Sequence, residues 1–135
     1  SFHYDHKTTA YCIGNGTGIA PFIGYSFEQS NAELNIIWGT KTANDAQKIT
    51  SRIQTESASL KLCFSQEKDQ PKIYASNYFI DLIPSIEQQL LNGAKIYICG
   101  AIQMDLDIKK ALINYAKSKG LEENIFLKNI HSDCY

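Results

Sequence analysis

The sequence predicts an α/β domain, a five-stranded parallel sheet with helices on both faces in three layers. Three observations lead there. Five short apolar runs, starting at Tyr11, Leu34, Leu60, Ile96 and Ile125, recur 23 to 36 residues apart. That is βαβ spacing, wider than the rhythm of an all-β sandwich. The runs are continuously apolar rather than alternating, as in strands covered on both faces. Helical patterns fill the intervals between them.

Tyr11-Cys12-Ile13 is the first strand. Pro21 follows a glycine-rich stretch at a place where a first helical turn tolerates proline, and Ile19, Phe22, Ile23, Ser26 and Phe27 then share one face. Leu34 to Trp38 is the second strand, and Ala46, Ile49 and Ile53 mark the second helix. Leu60 to Phe64 is the third strand. Residues 76–83 and 84–92 read as two helical pieces, because Pro84 would break one long helix and suits the start of another. Gly93 stops the second piece. Ile96 to Cys99 is the fourth strand. The helix over 104–118 is the most regular: Met104, Ile108, Leu112 and Tyr115 form a stripe, Asp105 and Asp107 lie in the first turn, and Lys117 and Lys119 close it before Gly120. Ile125 to Leu127 is the expected fifth strand.

At 135 residues the chain has the length of one domain, enough to bury roughly two-thirds of its unfolded surface. Hydrophobic residues at 44% and charged residues at 20% exclude a disordered or coiled-coil chain. Lysine plus arginine number 13 against 14 acids. That balance offers no footprint for nucleic acid or an anionic membrane. Arg52 is the sole arginine, so a clamp of several arginines on phosphate is not available. No two of the four cysteines have C-x-x-C spacing, three of them lie in apolar runs, and the three histidines supply no zinc pattern. Reduced thiols and a cytoplasmic setting are expected, or the cytoplasmic face of a membrane if a longer chain carries a tether. The chain opens on Ser1-Phe2-His3 without a methionine and reads as a piece of a longer protein.

Gly14-Asn15-Gly16-Thr17-Gly18-Ile19-Ala20-Pro21 follows the first strand and opens a helix. In that context glycines let the backbone approach a pyrophosphate, and the free amides of the helix start supply donors. The spacing is not G-x-G-x-x-G, and no acid ends the second strand, where Trp38-Gly39-Thr40-Lys41 stands. The ordinary dinucleotide fingerprint therefore fails on two counts. A tight strand–helix turn would also use glycine.

The loop resembles the G-x-G-T-G-x-x-P signature of the ferredoxin–NADP reductase family, specifically its diflavin branch of sulfite reductase flavoproteins and cytochrome P450 reductases. Trp38-Gly39-Thr40-Lys41 is similar to the family's aromatic-Gly turn, and Phe64-Ser65-Gln66-Glu67 with Lys72 and Tyr74 resembles its F-S-R-E … K-x-Y segment. The stretch from Asn92 through Gly100 resembles its G-A-x-x-Y-V-C-G-D strand, and Asp133-Cys134-Tyr135 its ending. The resemblance runs from residue 14 to 135. It implies a Rossmann-like NADP(H)-binding domain over 9–135, with 1–8 the connector from, or tail of, an FAD-binding domain.

Roles follow from the resemblance residue by residue. Thr17 would touch the nicotinamide half of the cofactor, with Gly14, Gly16, Gly18 and Pro21 shaping the loop. As a merely structural residue, Thr17 would instead cap the helix. Ser65 would bond the adenosine 2′-phosphate with help from Lys72 and Tyr74, although residues after a strand are often just solvated surface. Gln66 stands where the family has arginine, so the bidentate phosphate ligand is missing, and Lys68 could replace it only as a point charge. Cys99, with Gly100 and Met104 nearby, would lie beside the reacting nicotinamide carbon and work with Asp133. The structural alternative for Cys99 is a core thiol. The family's acid after C-G is Ala101 here, and the loop to Met104 is one residue short. Tyr135 would stack on the flavin and yield to nicotinamide, while His131 and Cys134 receive no role. The implied function is presentation of the NADPH hydride to FAD in another domain, electrons passing to FMN in a flavodoxin-like domain or to another acceptor. The alternatives are an NADH-linked flavin reductase domain, favoured by Gln66, and a nucleotide-binding regulatory module without catalysis.

Overall fold

The computed structural model describes residues 4, 5, 7–28, 32–54, 56 and 58–135. Its strands are β1 (Ala10–Asn15), β2 (Leu34–Thr40), β3 (Ala58–Phe64), β4 (Lys95–Gly100) and β5 (Ile130–Cys134). All neighbours pair in parallel, in the order β3-β2-β1-β4-β5. The helices are α1 (Ala20–Ser26), α2 (Ala43–Thr50), α3 (Ala75–Leu91) and α4 (Ile102–Ser118), with 3-10 turns at Gly16–Ile19 and Leu127–Asn129.

Because side chains alternate along a strand, each strand feeds two cores. Ala10, Cys12, Ile36, Trp38 and Tyr97 meet Phe22 of α1 and Ala46 of α2 on one face. Tyr11, Ile13, Ile37, Ile96 and Ile98 meet α3 and α4 on the other, through Phe79, Ile83, Ile108 and Leu112. This is the predicted three-layer α/β sandwich, and the continuous apolarity of the central strands is its cause.

Five local expectations need correction. α2 ends at Thr50, so Ile53, expected in that helix, is buried from the bend that follows it. Residues 75–91 form one helix with Pro84 inside it, not two pieces. Proline removes one intrahelical bond, and at this solvent-exposed position water can satisfy the carbonyl left over. The fifth strand is Ile130–Cys134, and Ile125–Leu127 belongs to the turn before it. α4 begins at Ile102 rather than 104. Phe27 leaves the buried face of α1, because the helix ends at Ser26 and the ring projects into solvent. Of the expected connector, Ser1, Phe2, His3 and His6 lie outside the described residues. Tyr4 stacks on Tyr25 at 4.2 Å and meets Tyr97 edge-on, while the Asp5 N–H donates to Tyr97 Oη at 2.9 Å.

The strand order decides where a ligand can sit. From β1 the chain winds outward through β2 and β3, then returns to the other side of β1 for β4 and β5. The connections after β1 and β4 therefore leave the sheet in opposite directions. They open a crevice at the carboxyl ends of those strands, the switch point where open parallel sheets take ligands.

Candidate functional site

A cleft of about 670 Å³ occupies that switch point, the size of a small-molecule or cofactor pocket. The carboxyl end of every strand reaches it. β1 contributes Asn15, Gly16 and Thr17, β2 Thr40 and Lys41, β3 Ser65, β4 Ala101, and β5 Tyr135. Tyr74 at the start of α3 and Met104 in the first turn of α4 complete the walls.

The wall between β1 and β4 is tightly interlocked. A side chain at Gly18 would put its Cβ 2.1 Å from the Cys99 carbonyl oxygen, so β4 itself demands glycine there. At Gly100, φ is +143° and a Cβ would lie 2.0 Å from Asn15 Oδ1. That oxygen accepts a hydrogen bond from the Ala101 N–H at 3.1 Å. Asn15 thus ties the glycine loop to the β4–α4 turn. Gly14 is buried behind the loop, whereas Gly16 and Thr17 face solvent. The Trp38 indole N–H donates to the Gly16 carbonyl at 2.9 Å and fixes the loop from below.

Thr17 does not cap a helix. Its Oγ1 lies 2.6 Å from Tyr135 Oη, across the mouth of the cleft. Tyr135 is 68% exposed, yet its main chain is bound on both sides: its N–H donates to the Gly100 carbonyl at 2.9 Å, and its carbonyl accepts from the Ile102 N–H at 3.3 Å. β5 is held in turn through Asp105, which accepts from Ser132 Oγ at 2.6 Å and pairs with Lys109 at 2.9 Å.

Cys99 pairs in register with Gly14 on one side and Asp133 on the other, and only 6% of it is exposed. Burial pushes its thiol pKa up, and the Asp133 carboxylate pushes it further. Cys99 therefore stays protonated near neutral pH. It lies behind the cleft lining, with Asp133 exposed beside it on the same face of the sheet. His131 stacks on Tyr97 at 5.3 Å, and Cys134 Sγ lies 3.7 Å from the Ile98 carbonyl.

Of the residues expected at the site, the cleft gathers Gly16, Thr17, Ser65, Tyr74, Met104 and Tyr135 in its lining. Gly14, Gly18, Cys99 and Gly100 form the wall behind, Pro21 lies in the first turn of α1, and Gln66 and Lys72 are exposed outside the lining. Several lining residues went unassigned from sequence, among them Asn15 and the two charged ones, Lys41 and Asp45. A signal for Lys41 existed. It follows the carboxyl end of β2, where a parallel sheet places ligand contacts, and the missing arginine leaves a cation to be found.

The profile of the oxidoreductase NAD-binding domain family matches residues 12–110. The chain is 29% identical over 126 residues to the sulfite reductase (NADPH) flavoprotein alpha-component of Photobacterium profundum, covering 86% of the chain and 21% of that protein. It is 30% identical over 137 residues to a nitric oxide synthase-like protein of Bombyx mori, covering 89% and 12%. With the NADPH–cytochrome P450 reductase of Candida tropicalis it shares 26% identity over 133 residues, covering 87% and 20%. The chain thus spans about a fifth or less of these relatives. With its five-stranded parallel sheet and a cleft at the switch point, this chain belongs to the oxidoreductase NAD-binding domain family.

Proposed function

We propose that the cleft binds NADPH and presents its nicotinamide to a flavin carried by another domain of the same protein. The observation that carries the reading is the convergence of all five strand ends on one cleft. The cleft has a glycine loop at one end and a serine, a lysine and an exposed tyrosine, Ser65, Lys41 and Tyr74, at the other. Adenosine and its 2′-phosphate belong at the Ser65 end, where hydroxyl donors and a cation suit a dianion. The nicotinamide belongs at the Thr17–Tyr135 end, against the wall formed by Cys99. When bound, the dinucleotide supplies a hydride, and the flavin of the neighbouring domain accepts it.

The chain's own contribution is positional and electrostatic. Gly18 and Gly100 let the glycine loop and the β4–α4 turn pack without side chains between them. Asn15 holds the two loops in register. Cys99 offers a small, uncharged surface at the reacting end. Asp133 lies beside it, where a carboxylate stabilises positive charge as the ring loses hydride. Residues 1–8 act as the connector to an FAD-binding domain, docked through Tyr4 and Asp5. Relatives named for NADPH and as flavoproteins support NADPH as the donor and a flavin as its acceptor; an FMN domain or another carrier is the onward acceptor in this reading. Four free cysteines suit a reducing, cytoplasmic setting. No helix among the described residues is long and apolar enough to cross a membrane.

Stopped-flow measurement of flavin reduction in the flavin-bearing protein tests this reading. Cys99→Ala should slow the hydride step by at least tenfold while NADPH affinity changes little, because an interaction made in the transition state alters rate rather than ground-state binding. An unchanged rate returns Cys99 to the core, and no saturable NADPH binding overturns the whole assignment.

A further inference from the structure

We propose that Asp45 sets the cofactor preference of this cleft by opposing the adenosine 2′-phosphate, so that NADH is accepted nearly as readily as NADPH. The inference rests on the nucleotide-binding reading above and concerns only the adenosine end of the site.

The end of β3 and the β2–α2 turn are joined by three hydrogen bonds. The Ser65 N–H donates to the Thr40 carbonyl at 3.0 Å, the Gln66 N–H to the Lys41 carbonyl at 2.8 Å, and the Ala43 N–H to Glu67 Oε2 at 2.9 Å. Ser65, Lys41 and Asp45 consequently share one wall, and all three line the cleft. Two of the donors at the start of α2 are already engaged by side chains of the chain itself. The Ala43 N–H is taken by Glu67, and the Asp45 N–H by Thr42 Oγ1 at 3.2 Å. The Thr42 hydroxyl donates onward to Asp45 Oδ2 at 3.1 Å, which fixes that carboxylate.

The charges then decide the preference. Lys41 and Asp45 are the charged side chains lining the cleft, one of each sign, and Glu67 stands just behind. Gln66 and Lys72 are exposed outside the lining. A ribose phosphate carries about −1.5 to −2 charges at pH 7. It gains from Lys41 and the Ser65 hydroxyl and loses against Asp45 and Glu67. A ribose 2′-hydroxyl has no charge to be repelled, and a carboxylate is the group that accepts its hydrogen bond in NAD-selective sites. Asp45 thus penalises NADPH and tolerates NADH.

Calorimetric titration of the chain with 2′-phospho-AMP and with 5′-AMP separates the possibilities. Asp45→Asn keeps the shape of the side chain and its bond to Thr42, so the cap of α2 is retained. The ratio of 2′-phospho-AMP to 5′-AMP affinity should rise about threefold at low salt, the size of one partly screened charge, and the gain should shrink at high salt. Gln66→Arg, which adds a phosphate ligand without touching Asp45, should also raise the ratio. An unchanged ratio in Asp45→Asn, or a gain insensitive to salt, overturns the role of Asp45 while leaving nucleotide binding intact. Failure of both ligands to bind the unmodified chain overturns the underlying reading as well.

Discussion

Tyr135 joins a fixed main chain to a movable ring. Its backbone is bonded to Gly100 and Ile102, while its hydroxyl meets Thr17 across the cleft and most of the residue faces solvent. Rotation of the side chain therefore opens the Thr17 end of the cleft, where the nicotinamide is proposed to sit, without disturbing β5. The contact to be broken is one hydroxyl–hydroxyl bond together with any stacking on the flavin, the latter worth about 0.5–1.5 kcal/mol. A dinucleotide better anchored at its adenosine end has more binding energy to spend on that displacement. Tyr135→Ser in the flavin-bearing protein should raise kcat/KM with NADH proportionally more than with NADPH, by a small factor, because Asp45 leaves NADPH only a slight advantage in anchoring. An unaltered NADH-to-NADPH ratio removes Tyr135 as a gate and leaves selectivity to the adenosine pocket. Asn15 works at the same scale. It is legible in sequence only as an anonymous loop position, because its bond to Ala101 joins residues 86 apart.

At the scale of elements, Pro84 is the place where local rules and packing disagree. α3 continues through it because Phe79, Ile83, Ile86 and Leu90 are all buried on one stripe against the sheet. Proline in a helix interior costs ~3 kcal/mol by removing a bond and crowding the preceding turn, and burial of that stripe outweighs the penalty. Part of the cost is returned by the restricted unfolded chain. Pro84→Ala should accordingly stabilise the domain by about 1 kcal/mol, read as a higher urea midpoint with an unchanged slope. Equal or lower stability would mean that the helix is already relaxed around the ring. β1, β2 and β4 were legible because buried central strands are mostly apolar throughout, and the edge strand β3 because Leu60, Leu62, Cys63 and Phe64 keep it apolar all the same. β5 was not, because Ile130-His131-Ser132-Asp133-Cys134 is an edge strand whose polar residues are held by particular partners, Tyr97 for His131 and Asp105 for Ser132. The apolar Ile125-Phe126-Leu127 just before it carried the stronger local signal and became a turn, with Phe126 pointing into the core. The glycine loop was readable because its residue types and its place between a strand and a helix carry the signal, although its partners Trp38, Cys99, Ala101 and Tyr135 lie far along the chain. Asp45, by contrast, becomes a site residue only once the strand order lays the β2–α2 turn against the end of β3.

For the molecule as a whole, burial of weak acids in neutral form predicts how stability depends on pH. Cys12 is fully buried and its pKa is pushed well up by desolvation. Burial also raises Cys63, Cys99 and Cys134. Tyr4 is pushed up to about 12, and Tyr25 higher still, by the same loss of water. A group whose folded pKa lies above its unfolded value binds its proton more tightly when folded. Its contribution is complete below the unfolded pKa and is lost as pH rises from there towards the folded value. For the thiols that loss begins near pH 8.5 and for the tyrosines near pH 10. Each group held neutral across that window costs about 1.4 kcal/mol per pH unit. His131 acts in the opposite direction: burial first, and Lys95 second, lower its pKa, so its contribution is complete above about pH 6.5 and falls as pH drops. Thermal unfolding followed by circular dichroism should therefore give a plateau in Tm between about pH 6.5 and 8.5, a shallow acidic decline from this histidine, and a steep alkaline one from the thiols. Cys12→Ala should lower the plateau by leaving a small void in the core under α1, yet flatten the alkaline limb by removing the most deeply buried thiol. An alkaline limb as steep in that variant as in the unmodified chain would show that protons released on unfolding by other groups, not by the buried thiol, govern stability at high pH.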